Sequence, residues 1–249
     1  MKKIKVFLIS VLFCISSFAQ EKIDTDRPDQ TESVNVVPKK YFQAEFGFNK
    51  ENYSDTSYSF FLPTALLKYG IWKRVELRLE MTFREDEVKT RTYKADVDGF
   101  EPVEIGTKIN LLDEKGLIPK TSFIAHVGFP FLAGSNFKPS HALPSFRFTM
   151  QHTLNDFVAL GYNVGAEWDG ESSDPTFIYT LAPGFAIGEK WYAYIEVFGF
   201  LQKNEKEHNI DGGVAYYITN NTKIDLSGGI GITGPLKNYI AVGFSFRLK

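Results

Sequence analysis

The sequence predicts an all-β protein, an up-and-down transmembrane antiparallel β-barrel of about twelve strands. Three observations lead there. Segments of roughly ten residues or more alternate polar and apolar side chains with a period of two, the connections between them alternate short and long, and no apolar run reaches the roughly 18 residues of a spanning helix. A chain that enters a membrane without such a helix must close its strands into a barrel, because every backbone N–H and C=O needs a partner within the protein.

The N-terminal stretch MKKIKVFLISVLFCISSFAQ places Lys2, Lys3 and Lys5 before an apolar run from Val6 to Phe13 and a small-residue exit at Ser17 to Ala19. That is the pattern of a cleaved signal peptide over 1–19 and implies Sec-dependent export, here to the outer membrane of a Gram-negative bacterium. Cleavage removes Cys14, the only cysteine, so the mature chain carries no thiol or disulfide. Lipidation of Cys14 is the alternative, but the residues before it lack the small side chains of a lipobox. A polar segment follows over 20–39, and the barrel is expected over 40–249. At 43% apolar and 23% charged residues the chain is neither disordered nor low-complexity. A net charge of −2 and no basic, aromatic-interleaved patch exclude nucleic acid as a partner.

The strands follow in order: YFQAEFGFN, SYSFFLPTALLKYG, RVELRLEMTFR, VEIGTKINLL, TSFIAHVGFPF, LPSFRFTMQHTL, FVALGYNVGAEW, PTFIYTLAPGFAIG, WYAYIEVFGFLQ, IDGGVAYYIT, TKIDLSGGIGI and NYIAVGFSFRLK. In the third, Arg74, Glu76, Arg78, Glu80, Thr82 and Arg84 share one face and Val75, Leu77, Leu79, Met81 and Phe83 the other. In a soluble β-sandwich the charges would face water and the apolar row a core; in a barrel the apolar row meets lipid and the charges line a lumen. Short connections such as GIWKR, NDF, GEK and TNN alternate with longer ones such as EDEVKTRTYKADVDGFE and AGSNFKPSHA, which favours up-and-down closure over crossed sandwich connections. Trp72 and Trp191 at short turns, and Trp168 at a long loop, fall where interfacial aromatic girdles lie. The inner face is charged in the N-terminal half and small in the C-terminal half, where Gly161, Gly165, Gly184, Gly213 and Gly229 suggest room for a guest.

The segment IDTDRPDQTES followed by VPKKYFQAEFGF resembles the N-terminal signature of the phenol meta-pathway degradation family of outer-membrane transporters. LPTALLKYGIWKRVELRLEM, VEIGTKINLLDEKGLIPKTSF and GGVAYYITNNTKIDLSGGIG are similar to that family in order and spacing. The resemblance covers nearly all the mature chain and implies an outer-membrane barrel with a transport role inherited from aromatic degradation. The end FSFRLK departs from the terminal aromatic residue on which many such barrels finish.

Two constellations are candidate sites. Asp24, Asp26, Arg27, Asp29 and Glu32 precede the first strand and form either a lumen plug or a tail free in the periplasm. As a plug, Arg27 would pair with Glu76 or Glu80, and the carboxylates with Arg74, Arg78 or Arg84. The second is a lumen charge ladder of Arg74, Glu76, Arg78, Glu80, Arg84, Glu104, Lys108 and Arg147, either a selectivity strip or a cross-strand network filling the lumen. His126 is an inner-face residue read as a hydrogen-bonded filler, and His141, His152 and His208 lack the spacing of metal ligands or of a Ser–His hydrolase. Asp24, Asp26 and Asp29 lack the glycine and closing glutamate of an EF-hand. No catalytic residue, cofactor or metal is therefore expected. The expected partners are outer-membrane lipid and a small solute, with the oligomeric state open. The function expected is a passive channel or facilitator for small solutes, hydrophobic or aromatic ones among them. The alternative is a filled, non-transporting barrel that acts at the surface through the loop from Glu85 to Glu101.

Overall fold

The structure, a computed structural model, describes residues 22–249; the leader expected over 1–19, with Cys14, lies outside the described residues. Period-two alternation becomes thirteen strands: β1 (Phe42–Asn52), β2 (Ser57–Trp72), β3 (Val75–Lys89), β4 (Lys94–Phe100), β5 (Val103–Leu112), β6 (Lys120–Phe129), β7 (Leu143–Thr153), β8 (Val158–Glu167), β9 (Thr176–Ile187), β10 (Trp191–Leu201), β11 (Lys206–Thr219), β12 (Thr222–Thr233) and β13 (Asn238–Leu248). From β5 to β13 each strand pairs antiparallel with the next, β13 pairs with β1, β1 with β2, β2 with β3, and β3 with β5. The ring therefore closes with every strand but β4, twelve of the thirteen, and leaves no open edge.

The sides of the wall are those of a membrane barrel. Phe177, Ile240 and Val242 are 57%, 55% and 47% exposed on the outside, whereas Glu45, Glu76 and Lys108 are at most 1% exposed within. Apolar side chains that find no protein core are stable only against lipid, so the charged row of β3 is the inner one. Trp72 and Trp191 stand exposed beside short turns. Trp168 instead lines a cavity at the long-loop end and donates its indole N–H to the Ser173 carbonyl at 3.2 Å, so it is not a girdle residue.

The stretch Glu85–Glu101, expected as a loop, is mostly strand. β3 pairs with β5 only from Val75 to Glu80; beyond that it pairs with β4 from Phe83 to Lys89, so the hairpin continues past the barrel wall. Glu101 and Pro102 interrupt the line from β4 to β5, since proline cannot donate to a ladder. The connection 130–142 folds over this hairpin: Gly134 N–H donates to the Phe100 carbonyl at 2.8 Å and the Asn136 amide to the Asp98 carbonyl at 2.8 Å. At the same end, 53–56, 202–205 and 234–237 are four-residue turns, because their strands run farther than alternation alone indicates.

Candidate functional site: the N-terminal segment within the lumen

Residues 22–39 run inside the ring and touch strands around its whole circumference. The acidic residues that precede β1 meet cations on inner faces of three strands. Asp26 accepts from Lys68 on β2 at 2.9 Å, Arg78 on β3 at 2.9 Å and Lys108 on β5 at 2.8 Å. Lys68 also pairs with Glu45 on β1, and Arg78 with Glu76 at 3.1 Å. Among the described residues, Lys108 has carboxylate partners only from the segment, Asp26 and, at 3.9 Å, Glu32. Burial disfavours the Asp26 carboxylate, but Lys108, Lys68 and Arg78 outweigh it and hold its pKa well below the ordinary carboxylate range. Glu32 pairs with Arg78 at 2.8 Å and faces Arg147 at 3.8 Å; burial again opposes the charge, and Arg78 leads the cations that lower its pKa.

Arg27 does not reach Glu76 or Glu80. It lies against the opposite wall, where Nη2 donates to Asp225 on β12 at 3.0 Å. The wall is notched to receive it. Gly47 and Gly243 are directly paired between β1 and β13, and a Cβ on either would fall 2.2 Å from Nη1 or 2.4 Å from Nε of Arg27. Only glycine at both positions lets the guanidinium lie flat on the backbone. Farther along, the Gln30 N–H and the Thr31 hydroxyl donate to Glu196 on β10 at 2.7 and 2.5 Å. Ser122 on β6 donates to the Val34 carbonyl at 2.6 Å, and Val37 N–H donates to Glu76 at 2.5 Å. Asp24 accepts from Ser33 at 2.6 Å and Asn35 at 2.5 Å within the segment itself. Among the described residues Asp29 has no cation within ion-pair distance, and burial pushes its pKa up to about 8.

The ladder divides into three parts. Glu76, Arg78 and Lys108 hold the segment. Arg74 lies at the short-turn end against Asp113, and Arg84 at the long-loop end against Asp86 at 2.8 Å and Glu101 at 3.2 Å, so neither meets the segment's carboxylates. Glu80, Glu104 and Arg147 line a cavity of about 540 Å³ at the long-loop end, together with His126, Glu167, Trp168 and Phe200. A smaller cavity of about 110 Å³ lies toward the short turns, lined by Asp29, Tyr192, Tyr217 and Lys223. Glu32 lines both, and at the smaller one Thr31 packs on Gly161 of β8, where an added Cβ would lie 3.0 Å from its methyl group.

The small inner face of the C-terminal half does not leave the open room expected of it. Gly184, Gly213 and Gly229 lie beneath the rings of Tyr192, Tyr194 and Tyr239, where an added Cβ would stand 2.5–2.6 Å from a ring or hydroxyl atom. That half also carries Glu196, Asp211, Lys223 and Asp225, all buried. Sequence reading missed these four and Lys68, although each alternates with apolar neighbours as the β3 charges do. His152 lies 3.9 Å from Glu114, and the His208 ring bonds the Tyr179 hydroxyl at 2.6 Å, both outside the lumen network.

Comparison with known proteins agrees with the barrel fold. A family model described as "Putative MetA-pathway of phenol degradation" matches residues 25–248. Among solved structures, an outer-membrane channel from Pseudomonas putida F1 is similar with a TM-score of 0.69 at 10% identity, covering 87% of this chain and 98% of its own. The KdgM porin follows with a TM-score of 0.56 at 8% identity over 82% of this chain and 98% of its own. The NanC porin gives 0.54 at 10% identity over 83% of this chain and 100% of its own. The fold is thus that of outer-membrane β-barrels. No curated protein sequence matches the chain.

Proposed function

The chain belongs to that phenol-degradation family, and from this premise we propose that it is a passive outer-membrane channel for small solutes whose path runs past the N-terminal segment. The observation that carries the reading is the pair of cavities, one toward each end of the barrel, that share Glu32 as a lining residue, the smaller one running along Ala159, Gly161, Ala182 and Gly184. A barrel of a dozen strands is otherwise narrow enough for side chains to fill. Here the segment takes up much of the lumen, and the smaller cavity is the space it leaves beside Ala159, Gly161, Ala182 and Gly184 on β8 and β9. The segment acts as a fixed plug, held chiefly by ion pairs in which Asp26 and Glu32 each meet several cations. Such pairs hold better than surface pairs because the lumen wall fixes their geometry, although desolvation offsets part of the gain.

Osmotic swelling of liposomes containing the purified protein tests the reading, with solutes from arabinose to simple aromatic acids and amines. Swelling that stops above a size limit is expected. No swelling, from protein shown to be folded by its heat-modifiable gel mobility, would contradict a path and favour a filled barrel.

A further inference from the structure

We infer that the larger cavity binds a small organic cation, an ammonium group on an apolar body, with Glu80 and Glu104 as its counter-charge; this rests on the channel reading and names its solute class. Glu80 on β3 and Glu104 on β5 are direct partners in the strand register. Like charges so placed repel unless a cation lies between them or one carboxyl keeps its proton, and an arriving cation displaces that proton. Their neighbours are already answered: Glu32 by Arg78 at 2.8 Å, Glu101 by Arg84 at 3.2 Å, and Glu167 by Arg147 at 3.7 Å. Among the described residues no lysine or arginine lies within ion-pair distance of Glu80 or Glu104, although both line the cavity.

His126 supplies the second observation. It is 7% exposed and faces the same point. Arg78 donates its Nε–H to His126 Nε2 at 3.0 Å, which places the proton of the neutral ring on Nδ1. That nitrogen is aimed into the cluster, 3.9 Å from Glu104 Oε2, with no hydrogen-bond partner among the described residues. One ligand atom from each of Glu80, Glu104 and His126 lies within 4.8 Å of the others. A metal ion on Nδ1 would require that proton to leave while Nε2 still accepts from Arg78, which makes the ring an imidazolate. An ammonium requires no such change: the lone pairs of the Glu80 and Glu104 carboxyls accept from the guest while the ring keeps its Nδ1 proton and its bond from Arg78. Above this floor the cavity wall includes Ile124, Leu143, Phe200 and Trp168. An apolar body rests there, and aromatic faces add attraction for a cation. A volume of about 540 Å³ suits a small organic molecule.

The test is isothermal titration of the full mature protein in detergent with benzylammonium, benzyl alcohol, benzoate and calcium ion. Benzylammonium is expected to bind at least about tenfold more tightly than benzyl alcohol, with benzoate weakest. Glu80→Gln with Glu104→Gln, which keeps shape and removes charge, is expected to abolish that preference. Glu189→Gln removes an exposed carboxylate at the short turn between β9 and β10, away from the cavity, and is expected to change affinity less than about threefold. Equal binding of ammonium and alcohol to the unmutated protein, or calcium binding without ammonium binding, would overturn the inference, and neither comparison depends on a variant folding. Titration needs no open path. Swelling without ammonium binding would therefore sink this inference alone, and binding without swelling would sink the channel alone.

Discussion

Asp26 is the residue on which the segment's position turns, because one carboxylate answers three cations that are each at most 2% exposed. Removing one member of a buried ionic cluster costs about 3–5 kcal/mol, since the others remain desolvated. Asp29 acts in the opposite sense. Its ordinary pKa of 3.8 rises to about 8 in the docked segment, so docking takes up a proton between those values and weakens as pH rises through them. Asp26, with its pKa depressed, stabilises docking fully above the ordinary value of 3.8 and loses that contribution only as pH falls through its lower docked value. Val34→Cys in a Cys14→Ser background reads both effects, because Val34 is 2% exposed and a maleimide reaches it only on undocking. Asp26→Asn is expected to speed labelling by about a hundredfold or more, and Asp29→Asn to slow it at pH 8 while flattening its rise from pH 5. Unchanged rates in both variants would show that the backbone contacts to Glu196 and Ser122 hold the segment alone. Asp26 was legible in the sequence as part of an acidic cluster. Lys108 was read as a lumen charge but not as its partner, and Lys68 was not read at all, because which strand faces the segment is set by barrel closure, and the Arg27 partner Asp225 lies 198 residues away for the same reason.

At the scale of elements, alternation was enough to place all twelve ring strands, because lipid on one side and charge on the other enforce a strict period of two. It failed where that constraint ends. Beyond the membrane the β3–β4 hairpin has water on both faces, so Glu85–Glu101 lost its apolar rows and resembled a loop. The same freedom makes the outer part of the hairpin, which only β2 flanks, removable without touching the β3–β5 ladder. Replacing Asp86–Val97 by Asn-Gly closes the hairpin at the Glu85–Asp98 pair, leaves the β3–β5 ladder untouched and removes only the last β2–β3 pairs, from Ser57–Val88 to Ser59–Asp86. Heat-modifiable gel mobility is expected to stay within a few degrees of the unmodified protein, by about the scale of an exposed-loop change. A large loss would mean that the extension helps hold β3 against β5. The glycines of the C-terminal half were visible but misread as empty space. A glycine on an inner face marks close approach, and whether a guest or a neighbouring tyrosine approaches depends on register, which single-strand periodicity does not contain.

For the whole molecule, the two cavities and the segment between them make one arrangement: a barrel wall that needs no plug to close, and a plug that the wall is shaped to hold. Every ring strand pairs on both sides without help from residues 22–39, so the barrel is expected to fold without them. Conductance of the protein in planar bilayers, compared between the mature chain and a variant lacking Gln20–Val37, tests the central claim most directly. A small, cation-preferring conductance from the mature chain and a several-fold rise on truncation are expected. No current from the folded truncated barrel, or equal current from both, would contradict a path limited by the segment.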